Sequence, residues 1–298
     1  MKNSGQELPL EKKAEMLRKI KESKAYALAY EDIKFLNKRD LRPVRLQLEL
    51  LKPDLILSEQ KIRSTIVVFG SARILSPEAA QRELKESKRL LKLSPRSPEM
   101  SRKLRYAQMR LNQSAYYAEA QKFAALISKA QQKDTGLEFV IVTGGGPGVM
   151  EAANRGAWET GSKSIGLNIT LPHEQDPNPY LTPDLSFRFH YFSLRKMHFM
   201  MRAKAMVAFP GGYGTFDELF EALTLVQTGK KSLLPIVLFG RKFWERVIDW
   251  DFLAEQGLIS WPERRLFYIA ETAEEGWAYI QSFWKRGTGP RSETRKTK

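Results

Sequence analysis

The chain has 298 residues, a formal net charge of +15 and no cysteine, with 42% hydrophobic and 28% charged residues. That length and apolar content suffice for a full core, and the missing cysteine excludes a disulfide framework, a thiol nucleophile, iron–sulfur clusters and cysteine zinc sites. No apolar run reaches the roughly 18 residues a membrane span needs, and the N-terminal segment lacks the apolar core of a signal peptide, so a cytoplasmic protein without a membrane partner is expected.

The basic excess is uneven. Residues 1–62 carry 14 Lys/Arg against 10 Asp/Glu, residues 81–110 carry 10 against 3, and the tail 285–298 carries 6 against 1, which leaves the rest of the chain near neutral. A nucleic-acid reader carries its basic footprint on the folded recognition surface. Here the charge lies on an arm, an insertion and a tail, so solvated helix faces are the expectation and nucleic acid is not expected as the partner.

In chain order, residues 8–40 read as helical from Leu10, Ala14, Leu17 and Ile20 at helical spacing. Arg42-Pro43 is expected to break that run, and Leu46 to Leu51 to lead into a turn near Pro53, which makes 1–60 a helical arm. Thr65–Phe69 (TIVVF) is a buried strand that runs into Gly70-Ser71. Residues 77–130 are helical with a break at SPRSP, 94–98, since proline cannot continue a helix. Residues 81–110 read as a basic helical insertion, and 115–130 as the helix packed on the sheet. Phe139–Val142 is the next strand, followed by TGGGPG and a helix over 149–160, then a strand over 164–168. A loop over 171–187, an extended piece over 187–192 and a helix over Leu194–Lys204 follow. Ala205–Phe209 is a strand that leads through PGGYGT to a helix over Phe216–Thr228, and Pro235–Phe239 is the last clear strand. Helices over 242–256 and 273–284 close the domain at 284, and the tail 285–298 is expected to be disordered.

Apolar strands that alternate with helices predict a parallel sheet covered on both faces, with ligands at the carboxyl ends of the strands. Three loops fall there. Gly70 and Ser71 end the first strand. Gly144, Gly145, Gly146 and Gly148 crowd four glycines into five positions before a helix, where free N–H groups and the dipole favour an anion. A dinucleotide fold would place an acid at the end of the next strand, and SIGLNIT has none. A nucleotide-hydrolysing loop would carry a Walker lysine, and none is present. Gly211, Gly212, Tyr213, Gly214 and Thr215 repeat the strand–loop–helix design, so one ligand held between two anion-ready loops is expected. Glu218 has two readings. It closes a capping box with Thr215, or it is a first-turn carboxylate, ionised with a depressed pKa, beside a phosphate site.

GGGPGVMEAANRGA, with Arg195-Lys196 fifteen residues before PGGYGTFDE, resembles the LOG family of nucleoside 5'-monophosphate phosphoribohydrolases, a family often labelled "lysine decarboxylase". The likeness runs from about Thr65 to Ile280. It implies a Rossmann-like α/β fold, a catalytic pair at Arg195 and Glu218, and substrate contacts at Lys196, the loop Gly212–Thr215, Thr224 and, in the preceding loop, Glu174. It also implies a homodimer or higher homo-oligomer with the pocket at the interface. The longer arm and insertion, Arg73 in GSAR, and GGGPG look like the larger bacterial members, some of which cleave ordinary purine and pyrimidine nucleotides. Decarboxylation would need a lysine that forms a pyridoxal Schiff base and a carboxylate for the ring nitrogen, and the sequence displays no such pair. His173, His190 and His198 lack metal-ligand spacing, so no metal and no cofactor are expected. Two other readings stay open: a non-catalytic nucleotide or molybdenum-cofactor binder, which has no use for the Arg195/Glu218 pair, and a nucleic-acid-associated Rossmann protein.

Overall fold

The computed structural model describes residues 7–133, 136–171 and 176–286. It divides into two compact units, one up to Lys52 and one from Pro53 onward. The first unit holds α1 (Leu10–Lys21), α2 (Ile33–Leu36) and the start of α3 (Arg42–Glu59). The single helical run expected over 8–40 is broken. Ser23 and Asp32 accept from the backbone N–H groups of Ala25 and Phe35, so each starts a new short turn instead of extending α1. Pro43 lies in the first turn of α3, where a residue has no use for an N–H donor. The turn expected near Pro53 is absent: Pro53 lies inside α3, buried together with Leu57. Past the proline, Arg202 bonds Asp54 and Ser58 and holds that part of the helix in place.

The second unit is built on a seven-stranded parallel sheet. After β1 (Thr65–Phe69) come α4 (Pro77–Leu93), α5 (Pro98–Gln131) and a small antiparallel pair, β2 (Gln132–Lys133) with β3 (Gly136–Leu137). Then follow β4 (Val140–Thr143), α6 (Val149–Glu159), β5 (Ser164–Ile169), β6 (Ser186–Phe189) and α7 (Phe192–Met201). The chain continues through β7 (Ala203–Ala208), α8 (Tyr213–Gln227), β8 (Ile236–Phe239), α9 (Arg241–Val247), α10 (Trp250–Glu255), β9 (Phe267–Ala270) and α11 (Ala273–Lys285). The sheet order is β6-β5-β4-β1-β7-β8-β9. The chain therefore builds outward from β1 to one edge, then returns to the other side of β1 as β7.

Strand side chains alternate between faces, so Ile66 and Val68 of β1 point one way and Val67 the other. On the first face they meet Tyr117, Phe123 and Ile127 of α5, Ala152 and Ala153 of α6, and Ile280 of α11. Helices α7 and α8 touch β5 and β7 and cover the other face. Two boundaries move relative to the sequence reading. The helix expected over Leu194–Lys204 ends at Met201, and Lys204 belongs to β7. Strand β9 was not foreseen; it is an edge strand, exposed at Tyr268 and half-buried at Phe267, and carries a weaker apolar signal.

Helix α5 runs unbroken for 34 residues. Its start is encoded by Ser97, which accepts from the Met100 N–H, with Pro98 at the first helical position. The expected break at SPRSP is present between Leu93 and Pro98, but the basic insertion and the core helix then form one rod. Where α5 meets α6, the contact is backbone-close: a methyl group on Gly156 would sit 2.0 Å from the Gln121 carbonyl oxygen. In an exposed helix, glycine to alanine is stabilising by about 1 kcal/mol. Here Gly156→Ala is expected to reverse that sign and lower the unfolding midpoint in urea, and an unchanged or raised midpoint would refute the close contact.

Candidate active site

Strands β1 and β7 are neighbours in the sheet, and their chains leave in opposite senses, β1 to α4 and α5, β7 to α8. The last bonds between them are Phe209 N–H to the Phe69 carbonyl, 2.9 Å, and Ser71 N–H to the Pro210 carbonyl, 3.1 Å. Beyond that point the loops part. A cavity of about 860 Å³ opens there, lined by Gly70–Arg73 on one side and Pro210–Glu218 on the other, with Gly144 and Arg195 between them. This is the crevice where open parallel sheets bind ligands.

The two glycine-rich loops are built for different purposes. In the first, the Gly145 N–H bonds Thr143 Oγ1 at 3.0 Å, and Asn178 Nδ2 donates to the Gly145, Gly146 and Asn154 oxygens. Gly148, at φ +72°, lies so close to the backbone of Ser71 that a Cβ would meet its carbonyl oxygen at 2.4 Å, and the first N–H of α6, on Val149, is spent on that same oxygen. Gly144 alone of this loop lines the cavity. Its missing side chain leaves room for the Arg195 guanidinium, which a Cβ would meet at 2.5 Å. In the second loop, a Cβ on Gly212 or Gly214 would meet nothing within 4 Å, so the absence of side chains there serves the cavity and not the packing. Gly212 caps α8 with no side-chain bond, which leaves the helix N-terminus facing the cavity.

The capping box that is one of the two readings of Thr215 and Glu218 does not form. Helix α8 starts at Tyr213, so Thr215 is already inside it, buried beneath Gly211, and Glu218 lies in the second turn. Arg195 and Lys196 are adjacent on α7 and therefore point about 100° apart. Arg195 reaches the cavity, donates through Nε to the Leu167 carbonyl at 2.7 Å, and lies over the Phe199 ring. Lys196 turns to α8 and pairs with Asp217 at 2.8 Å and Glu221 at 2.9 Å. It lines a shallower groove that also holds Thr224, whose hydroxyl donates to the Phe220 carbonyl. Thr224 and Lys196 are thus brought together with each other but do not line the main cavity. Glu174 and His173 lie outside the described residues.

The depressed pKa expected for Glu218 is reversed. Burial pushes its carboxyl up to about 7; Lys196 and Arg195 pull it down, while Glu221 and Asp217 push it up. A first-turn position open to solvent would have given the opposite sign. Burial also lowers the Arg195 pKa, against the attraction of Glu218. Lys196 is held above its ordinary value: burial works against the charge, and Asp217 and Glu221 outweigh it.

One wall was missed. Tyr106, Met109, Arg110 and Gln113 of α5 line the cavity. They lie at i, i+3, i+4 and i+7, a stripe that continues into the core at Tyr117, and that periodicity is the signal the charge excess concealed. His198 is buried against Phe189 and His190 lies beside Tyr191. Among the described residues no cluster of three potential metal ligands occurs, and no lysine lines the main cavity to carry a Schiff base. No described helix is long and apolar enough to cross a membrane.

Residues 150–280 match the family model described as "Possible lysine decarboxylase". The chain is 29% identical over 141 residues to the cytokinin riboside 5'-monophosphate phosphoribohydrolase LOG of Oryza sativa subsp. japonica, which covers 46% of this chain and 56% of that protein. It is 33% identical over 82 residues to cytokinin riboside 5'-monophosphate phosphoribohydrolase LOG2 of Arabidopsis thaliana, covering 27% of this chain and 38% of that protein. The matches thus span less than two thirds of these relatives' own lengths. Among solved structures, a molybdenum-cofactor carrier protein from Chlamydomonas reinhardtii aligns with a TM-score of 0.43 at 18% identity, over 75% of this chain and 99% of that one.

The raised pKa of Glu218 has a stability consequence. A carboxyl that binds its proton more tightly when folded stabilises the fold below its unfolded pKa, and that contribution is lost as pH rises from the ordinary 4.5 through about 7. Glu218→Gln removes the titration. Relative to the parent, the variant is expected to melt at a higher temperature at pH 8 than at pH 5, measured without ligand. An equal difference at both pH values, or a loss confined to pH 8, would contradict the raised ionisation of this half-buried carboxyl.

Proposed function

We propose, from its kinship with the LOG family and from the cavity at the β1/β7 crevice, that the chain hydrolyses the N-glycosidic bond of a nucleoside 5'-monophosphate to free base and ribose 5-phosphate. The observation that carries this reading is a neutral-range carboxyl and a half-buried guanidinium, Glu218 and Arg195, on the wall of a cavity that also exposes an uncapped helix N-terminus. The α8 N-terminus and Gly212–Gly214 take the 5'-phosphate, with backbone N–H groups and the dipole as its ligands. Gly70 and Ser71 face it from the opposite loop. Breaking the bond between C1' and the base nitrogen leaves a ribosyl cation. The ionised Glu218 stabilises that cation and accepts a proton from the attacking water, as a glycosidase carboxylate does. Arg195, fixed by the Leu167 carbonyl, steadies negative charge on the departing base, and the proton that Glu218 took from water passes to the base nitrogen, which releases neutral base and restores the carboxylate.

Lys196 acts indirectly. It holds Asp217 and Glu221 on α8 and lowers the Glu218 pKa from its position beside them. Cleavage is expected for nucleoside 5'-monophosphates and not for the matching nucleosides, because binding is directed at the phosphate. With a catalytic carboxyl near pH 7, kcat/KM is expected to rise through neutrality. Glu218→Gln is expected to keep its affinity for adenosine 5'-monophosphate and lose about 10²–10³-fold in kcat, by comparison with other lost charge-stabilising groups. Equal rates on nucleotide and nucleoside, or a Glu218→Gln variant with most of its turnover, would overturn the assignment.

Homodimerisation is part of the same reading. Helix α7 buries Leu194, Phe199 and Met200, yet leaves Phe192, Met197 and Met201 exposed. On α8, Tyr213 is 97% exposed at the mouth of the cavity. Large apolar side chains left uncovered on both helices support burial against a second copy. Light scattering at micromolar concentration is expected to give about twice the 34.3 kDa chain mass, and a monomer mass alone would refute the dimer.

A further inference from the structure

We propose that the outer half of α5 is the base-selecting wall of the cavity, with Tyr106 and Met109 stacking on the nucleobase and Gln113 reading its edge. This rests on the nucleotide reading above and adds to it the part of the substrate that no motif addresses. The phosphate end is taken by the α8 N-terminus and the reacting carbon by Arg195 and Glu218. What remains of the lining on α5 has a different chemistry. Tyr106 is 55% exposed and Met109 44% exposed, although both are large and face the cavity. Tyr106 makes no ring contact or side-chain hydrogen bond with any described residue, and the Gln113 amide is likewise unspent. A flat aromatic face, a polarizable thioether and a side chain that offers both a donor and an acceptor match a planar, hydrogen-bonding ring. A phosphate or a sugar offers no such plane.

The wall is also held in a fixed orientation. One stripe of α5 carries Tyr106, Met109, Arg110 and Gln113 into the cavity and Tyr117 into the core. Tyr117 is 1% exposed, and its hydroxyl donates to Glu151 of α6 at 2.8 Å, which sets the rotation of the rod. Arg110 is tied to Glu83 of α4 at 2.7 Å, so its charge is already matched and it braces the wall instead of forming a second phosphate site. A purine covers more of Tyr106 and Met109 than a pyrimidine, so purine nucleotides are the favoured class.

The test compares a base-bearing and a base-free ligand. Adenosine and cytidine 5'-monophosphates serve as substrates, and ribose 5-phosphate serves as a competitive inhibitor. Tyr106→Ala removes an exposed side chain and leaves the core untouched. It is expected to raise KM for adenosine 5'-monophosphate about tenfold or more, the scale of a lost base–aromatic stack, with inhibition by ribose 5-phosphate unchanged. Gln113→Ala is expected to change the ratio of kcat/KM between the two nucleotides. Gln108→Ala, an exposed position on the opposite face of the same helix, is the control and keeps parental values. If Tyr106→Ala weakens ribose 5-phosphate as much as the nucleotide, or if neither variant separates nucleotide from ribose 5-phosphate, the wall does not see the base. If the parent protein binds no ribose 5-phosphate and cleaves no nucleotide, the nucleotide reading itself has failed, and this inference falls with it.

Discussion

Two parallel strands at the middle of the sheet, β1 and β7, must send their chains to opposite sides. That constraint makes the cavity. Parallel pairing leaves both carboxyl ends at the same edge, and the divergence of the connections means that neither loop can close over the gap between them. The backbone bonds at Phe209 and Ser71 hold the loops together up to the edge and no further. What the loops then contribute differs with their neighbours. The loop after β4 is held by Asn154 and Asn178, and its glycines make room for the neighbours packed on them, the Ser71 backbone at Gly148 and the Arg195 and Asn168 side chains at Gly144 and Gly145. The loop after β7 is left open, and its glycines clear a path to a helix end.

The charges around the crevice sort themselves by helical geometry. Successive residues on α7 point apart, so one cation faces the cavity and the other faces the outside of α8. Lys196 takes up Asp217 and Glu221, which would otherwise leave three carboxylates within two turns of one helix. Glu218 is then the acid left facing inward, where burial outweighs the two nearby cations and brings its ionisation to about 7. A group at that balance gains and loses a proton at little cost, which is the condition for acid–base work at neutral pH. The same burial makes the site a net burden on the fold, as is common where a polar group is kept for chemistry.

Much of this was legible in the sequence, and the gaps have physical causes. The central strands were readable because parallel strands covered on both faces are continuous apolar runs, as TIVVF and PIVLF are. The edge strand β9 lacks that signature because its side chains are only partly buried. The start of α8 was misread because Thr215-x-x-Glu218 imitates a capping box, while the true cap, Gly212, makes no side-chain bond to recognise. The sign of the Glu218 shift follows from burial, which spacing along a helix does not reveal. Pro53 was read as a turn because local preference disfavours it inside a helix; burial and the Arg202 clamp overrule that preference. The α5 wall was hidden in the most basic part of the chain, where a stripe at helical spacing is outnumbered by lysine and arginine on the other faces.

The length of α5 has a consequence for how such a protein can diversify. A rod of 34 residues is about 50 Å long, and only its second half, from Ser114 onward, contributes most of its buried positions to the sheet. The first half overhangs the crevice, braced against α4. Side chains there face the cavity but carry little of the core, so exchanging them leaves folding nearly untouched. The groups on α7 and α8, by contrast, sit on elements that cover the sheet and tolerate little change. One continuous helix thus separates a conservative half, tied to the architecture, from a permissive half that new sequences can rewrite to suit a different occupant.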